Sequence, residues 1–93
     1  MSYEELWRIM SRHPIQRDIL WRMCILTYEL GDTVKAIVYS RYYGSPGVHA
    51  ELKTALADLI AQIHILCLQS NLDFEELEEL GLKRLADFVV RRM

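Results

Sequence analysis

The chain has 93 residues, 52% of them hydrophobic and 26% charged, and a formal charge of −2. That length predicts a single domain, residues 1–93, large enough to hold a core without disulfides or metals. A pI near 5.9 gives no electrostatic footprint of the clustered basic surface that DNA or RNA binding requires and so disfavours that class, and an apolar share slightly above the soluble norm points to self-association.

Ser2 followed by Glu5 is a capping-box pattern, and Leu6, Ile9 and Met10 recur at helical spacing, which predicts a short first helix from Tyr3 to Ser11 that serves as a lid. His13-Pro14 breaks it, because proline disfavours a helical residue before it yet suits the first position of a new helix. The second helix is expected to start at Pro14. Its core stripe is Ile19, Met23, Leu26, Leu30, Val34 and Ile37, and it stops at Gly44 after Tyr42 and Tyr43. At 1.5 Å per residue such a helix reaches roughly 45 Å, more than a domain of this size covers by itself. A bend at Gly31, or a partner subunit over one end, would reconcile the two. Gly31 costs about 1 kcal/mol relative to alanine, which fits either a tolerated glycine or a close approach to the backbone.

Gly44-Ser45-Pro46-Gly47 reads as a loop, with Ser45 and Pro46 as cap and first residue of a third helix. Leu52, Leu56, Leu59, Ile63 and Leu66 supply its core stripe, and a polar line through Glu51, Asp58 and Gln62 runs beside them, interrupted by Ala55. Asn71-Leu72 marks its end. Asp73 with Glu76 opens a fourth helix. Glu75, Glu76, Glu78 and Glu79 suit the positive end of its dipole, and Arg91 and Arg92 the negative end. Leu77, Leu80, Leu85, Phe88 and Val89 are its expected buried face, with Gly81 a candidate kink. No alternating pattern suggests a strand. The expected fold is all-α, an antiparallel helical hairpin or bundle of about four helices, completed by oligomerisation.

Several chemistries lack their residues. The serines sit at caps, loops or helix ends with no strand-turn-helix elbow, and the glycine loop lacks the lysine and preceding strand of a P-loop. His13, His49 and His64 are scattered, which argues against zinc and leaves His64 as a partly buried helix residue. Cys24 and Cys67 have no CxxC spacing and read as reduced core residues. The longest apolar run, Ala55 to Leu68, is interrupted by Asp58, Gln62 and His64, and no leader pattern opens the chain, so a cytoplasmic protein with no membrane span is expected. Tyr28, Tyr39, Tyr42 and Tyr43 fit a core or subunit interface, or a platform for a base.

Carboxylates are what remain. Glu29 and Asp32, three apart, lie on one side of a helix about 5–6 Å apart at Cβ. They read either as a solvated stripe or as a pair able to hold one hard cation. If the two long helices pack antiparallel, Asp58 and Glu51 face them across a groove. Such an open oxygen cluster suits Mg²⁺ or Mn²⁺ that retains water and holds substrate phosphates.

These stretches resemble the MazG-like nucleotide pyrophosphohydrolases, an all-α group with Glu-x-x-Glu on one helix and Glu-x-x-Asp on the next. Glu29-Leu30-Gly31-Asp32 is similar to the first motif and Ala55-Leu56-Ala57-Asp58 to the second, and the likeness spans residues 15 to 86. The resemblance implies hydrolysis of a nucleoside triphosphate to monophosphate and pyrophosphate. Glu29, Asp32 and Asp58 would hold Mg²⁺ or Mn²⁺, and Glu51 would act through water or on a second ion. It also implies a homodimer or homotetramer. Lys35 would reach a phosphate or pair within its helix. Ala55 stands where the family has glutamate and Asp32 is one carbon short, so the implied activity is a weakened one. The alternative is a non-catalytic helical oligomerisation or interaction module on the same scaffold.

Overall fold

A computed structural model describes residues 1–44 and 48–92, the side chains of Val48 and His49 excepted. Among these residues stand four α-helices and no strand: α1 (Tyr3–Met10), α2 (Ile19–Tyr43), α3 (Val48–Gln69) and α4 (Phe74–Arg92). The all-α class follows directly from the sequence periodicity. The proposed cap at Ser45 and Pro46 lies outside the described residues.

Caps fix the boundaries. Ser2 accepts the Glu5 N–H at 3.1 Å, as the capping box implies. The second helix, however, does not begin at Pro14. Pro14–Arg17 forms a separate 3-10 turn, and Asp18, in an extended conformation, caps α2 by accepting the Leu20 N–H at 3.0 Å. Proline does initiate a helical turn here, but the better cap four residues later restarts the chain in a new direction. As a result α2 has 25 residues and is about 37 Å long rather than 45 Å. Gly31 lies within α2 and a Cβ there would meet nothing within 4 Å, so no described residue of the protomer packs closely against its backbone. Gly44 ends α2 in the left-handed region at φ 58°, its N–H donating to the Ser40 carbonyl.

The end of α3 is a Schellman turn built on asparagine. Asn71 has φ 59°, its N–H donates to the Leu68 carbonyl, and the Leu72 N–H reaches back to Cys67 at 2.8 Å. Asp73 then accepts the Glu75 N–H at 3.0 Å and starts α4. Substituting Asn71→Ala should destabilise the protein by about 1 kcal/mol, because a Cβ without a local hydrogen-bonding amide is strained in this region, and Asn71→Gly should be neutral or stabilising. Thermal melts of the two variants check the sign.

α2 and α3 pack as an antiparallel hairpin, α1 lies on α3, and the 3-10 turn lies on α2. The contact zone between the long helices uses small residues, with Thr33 and Ala36 of α2 and Ala55 of α3 all buried, so the backbones approach closely. Ile65 and Cys67 complete the buried apolar set of the described residues. The predicted core stripes are therefore displaced: Met23, Leu30, Val34, Ile37 and Leu56 stay exposed, while Leu52, Leu59, Ile63 and Leu66 are half-buried. Cys24 is also exposed, contrary to its reading as a core residue. Cys67 is buried, and burial, reinforced by the charge of Asp73, pushes its thiol up.

The most completely buried polar side chain is one the sequence pattern did not single out. Arg22 is 1% exposed. Its Nε donates to Gln69 at 3.3 Å, its Nη1 to Gln62 Oε1 at 2.8 Å, and its Nη2 to both the carbonyl and Oε1 of Gln16. Gln69 Nε2 in turn donates to the Arg17 carbonyl at 2.9 Å. Burial pushes the guanidinium below its ordinary pKa, and all the partners in this shell are neutral oxygens. The knot ties the 3-10 turn, α2 and α3 together at one end of the hairpin.

α1 packs on α3, and an aromatic stack pins its first residue there. His64 of α3 lies between Tyr3 of α1, stacked with ring centroids 4.1 Å apart, and Phe74 of α4, at 3.5 Å. Beyond Phe74, α4 turns through 114° from α3 and every residue to Arg92 is exposed. The face expected to be buried, Leu77, Leu80, Leu85, Phe88 and Val89, is open to solvent in the protomer. Gly81 does not interrupt the helix.

Candidate acidic groove

The close approach of α2 and α3 leaves a shallow trough on one side of the hairpin. Asp32 stands on the α2 wall, and Ala50, Glu51, Thr54, Ala55 and Asp58 line the α3 wall of this open groove of about 400 Å³. Helical spacing accounts for the placement. Asp32 sits one step off the inward line of Thr33 and Ala36. Glu51 and Asp58, seven residues apart, return to nearly the same angle on α3, on the same side.

Glu29 adjoins this wall. Its carboxyl is raised above the ordinary value, first by burial, then by the charge of Asp58 across the groove, then by Asp32 one turn along its own helix. Carboxylates from both motifs thus share one electrostatic environment. The sequence-derived set Glu29, Asp32, Asp58 and Glu51 is gathered on one side of the hairpin, with Asp58 and Glu51 exposed and Glu29 and Asp32 half-buried.

The donor chemistry, all carboxylate oxygen, fits a hard divalent cation. Among the described residues no three His, Cys, Asp or Glu side chains are grouped closely enough to hold a metal ion between them, so direct ligation by this set needs further ligands such as water. Ala55 adds no donor. It occupies the buried floor between Glu51 and Asp58, where a methyl group contributes packing and no ligand.

Beside the groove, the outer edge of α2 carries Tyr28, Lys35 and Tyr39, on the same helical side as Asp32. Lys35 Nζ lies 5.3 Å from the Tyr39 ring centroid and Tyr39 packs edge-on to Tyr43 at 5.4 Å. These tyrosines are exposed and do not contribute to the core of the protomer. Gln62, read from sequence as part of the polar line, leaves that line to serve Arg22. The recurrence of glutamine at positions 62 and 69, two turns apart on α3, is the sequence signal that marks the partner face for a buried arginine.

Comparison of the chain with protein-family models, with curated proteins and with solved structures gives no match.

Proposed function

We propose that the chain is a Mg²⁺-dependent nucleoside triphosphate pyrophosphohydrolase of the MazG-like kind, converting NTP and water to NMP and pyrophosphate at a weakened acidic site. The observation that carries this reading is the shared groove: Asp32 on α2 and Glu51 and Asp58 on α3 line one trough, and Glu29 senses both aspartates. Asp32, Asp58 and Glu29 are the residues that would hold Mg²⁺ or Mn²⁺, with Glu51 further along the same wall. Bound there, the ion supplies neutralisation of phosphate charge and a lowered pKa for a water. The protein side of the chemistry is electrostatic. The carboxylates keep the trough negative, which disfavours a bare polyphosphate and favours one that arrives with its cation. Thr54 offers a hydroxyl in the same trough, and Lys35 stands at the outer rim with Tyr39.

A second reading rests on Ala55. With a methyl group at the groove floor, the scaffold is also that of a non-catalytic helical interaction module whose acidic trough is vestigial. A pyrophosphate-release assay separates the two, with a panel of canonical and modified NTPs and Mg²⁺ or Mn²⁺. Release on at least one substrate, abolished by Asp58→Asn, is the expected result. If no substrate turns over above background, and Glu29→Gln and Asp32→Asn leave Mg²⁺ binding unchanged, the enzyme reading is wrong.

A further inference from the structure

We propose that α4 is a strap that closes onto α3 of its own chain, swinging about Phe74 until its apolar face covers the groove lined by Ile60, Leu56 and Leu52. The groove opens beside the strap's seat. Phe74 stacks on His64 at 3.5 Å, and one turn back along α3 Leu52, Lys53, Leu56, Ala57 and Ile60 line an open apolar hollow of about 360 Å³. His64, Ile60, Ala57 and Lys53 follow one another at steps of four, three and four, which is one stripe of a helix, and it begins under Phe74. α4 carries the matching stripe. Phe74, Leu77, Gly81, Leu85 and Phe88 fall at steps of three, four, four and three, and after Phe74 all of it is exposed.

The contact already made sets the register between the two stripes. A bend of 114° leaves α4 about 66° short of the 180° of an antiparallel pair. From Phe74 beside His64, equal rise on both helices sets each residue gained along α4 against one lost along α3. Leu77 then meets Ile60, Leu85 meets the aliphatic stem of Lys53 next to Leu56, and Gly81 falls on Ala57. Gly81 has no other reason to be there. Glycine disfavours a helix more than any residue except proline, and a Cβ at Gly81 would meet nothing within 4 Å as α4 stands. Opposite Ala57 the missing side chain lets two backbones approach, which shortens the distance between crossing helices. The open protomer also has area to lose: it exposes 7509 Å² where a compact fold of 11.0 kDa exposes about 5600 Å². Its radius of gyration is 16.1 Å against about 12 Å for a compact chain of this length. The acidic groove lies on another side of α3 and stays open, so the strap does not depend on the nucleotide reading.

Thiol cross-linking in the full chain reads the closure, because a disulfide needs two Cα atoms within about 7 Å of each other. In a Cys24→Ser background, with the buried Cys67 left in place, Lys53→Cys and Leu85→Cys put two thiols in register. Thr54→Cys with Leu85→Cys is the control, its first thiol turned by about 100° toward the acidic side. All three positions are exposed, so the substitutions leave the core intact. Under diamide the in-register pair should form an intrachain disulfide about tenfold or more faster than the control, at a rate independent of protein concentration. Adding Gly81→Leu should slow that reaction about tenfold or more while circular dichroism shows helicity unchanged or raised. Equal rates for the two pairs overturn the proposal. So does a disulfide that forms only between chains, or one whose rate Gly81→Leu leaves unchanged.

Discussion

Replacing Arg22 with methionine should cost about 2–4 kcal/mol and lower the melting midpoint by about 10 °C or more for a domain of this size. Methionine fills much of the same volume, so the loss comes from hydrogen bonding rather than from a cavity. Four donor contacts disappear, and the side-chain oxygens of Gln16, Gln62 and Gln69 are left near a site that excludes water. Arg22→Lys should recover only part of the loss, because an ammonium cannot reproduce the planar fork that reaches three glutamines at once. Conversely, combining Arg22→Met with Gln16→Leu, Gln62→Leu and Gln69→Leu should restore stability toward the parent value, since an apolar replacement of all three glutamines removes the unmet side-chain polar groups. Thermal and urea unfolding of the set checks this. A single Arg22→Met variant that melts with the parent would show that the knot contributes nothing.

Ala55→Glu should raise Mg²⁺ affinity by roughly tenfold or more, through one added carboxylate at the groove floor, while lowering stability in the absence of metal. Ala55 is buried, so the new side chain must rise into a trough already lined by Asp32, Glu51 and Asp58. The penalty is predicted by Glu29, whose carboxyl is already raised by burial, Asp58 and Asp32. For such a group the folded state binds its proton more tightly than the unfolded state. Between the unfolded pKa and the raised folded one, stability therefore falls as pH rises, and above the folded value the ionised group opposes folding. Glu29→Gln should remove that opposition and stabilise the metal-free protein at neutral pH, with the gain vanishing in acid below the carboxylate range. Mg²⁺ should reverse the order, raising the melting midpoint of the parent and most of all that of Ala55→Glu. Isothermal titration with Mg²⁺ and melts from acid to neutral pH measure both. An Ala55→Glu variant that loses stability and gains no Mg²⁺ affinity would leave the groove without a metal role.

How the chain folds was legible where local chemistry decides it. Ser2, Asp73, Gly44 and Asn71 end or begin helices for reasons carried within four residues, and the all-α class followed from them. The start of α2 was misplaced because Pro14 and Asp18 are both good initiators, and only the direction of the chain after Arg17 tells which one opens the long helix. Periodicity located the apolar stripes but not their partners. The stripe through Leu30, Val34 and Ile37 has the spacing of a core and lies half in solvent, because α3 packs instead on the small residues Thr33 and Ala36. An amphipathic pattern states that a face needs a cover and is silent on which chain supplies it. Helical spacing accounts for Asp32 of α2 and Glu51 and Asp58 of α3 lining one groove across the antiparallel pair. Arg22 was not legible, since a lone arginine amid apolar residues carries no periodic signature.

The Arg22 knot also has a kinetic meaning. Its contacts join residues 40 and 47 positions apart in sequence, and the companion bond from Gln69 to Arg17 spans 52, whereas α2 and α3 are joined by a short connection at the opposite end of the hairpin. Local contacts near that connection close with little loss of chain entropy, and the distant end zips afterwards. An interaction formed late is absent from the folding transition state and present in the native one. Arg22→Met should accordingly raise the unfolding rate, shortening the lifetime of the closed hairpin, and scarcely change how fast the hairpin forms, as stopped-flow unfolding and refolding of the variant would measure.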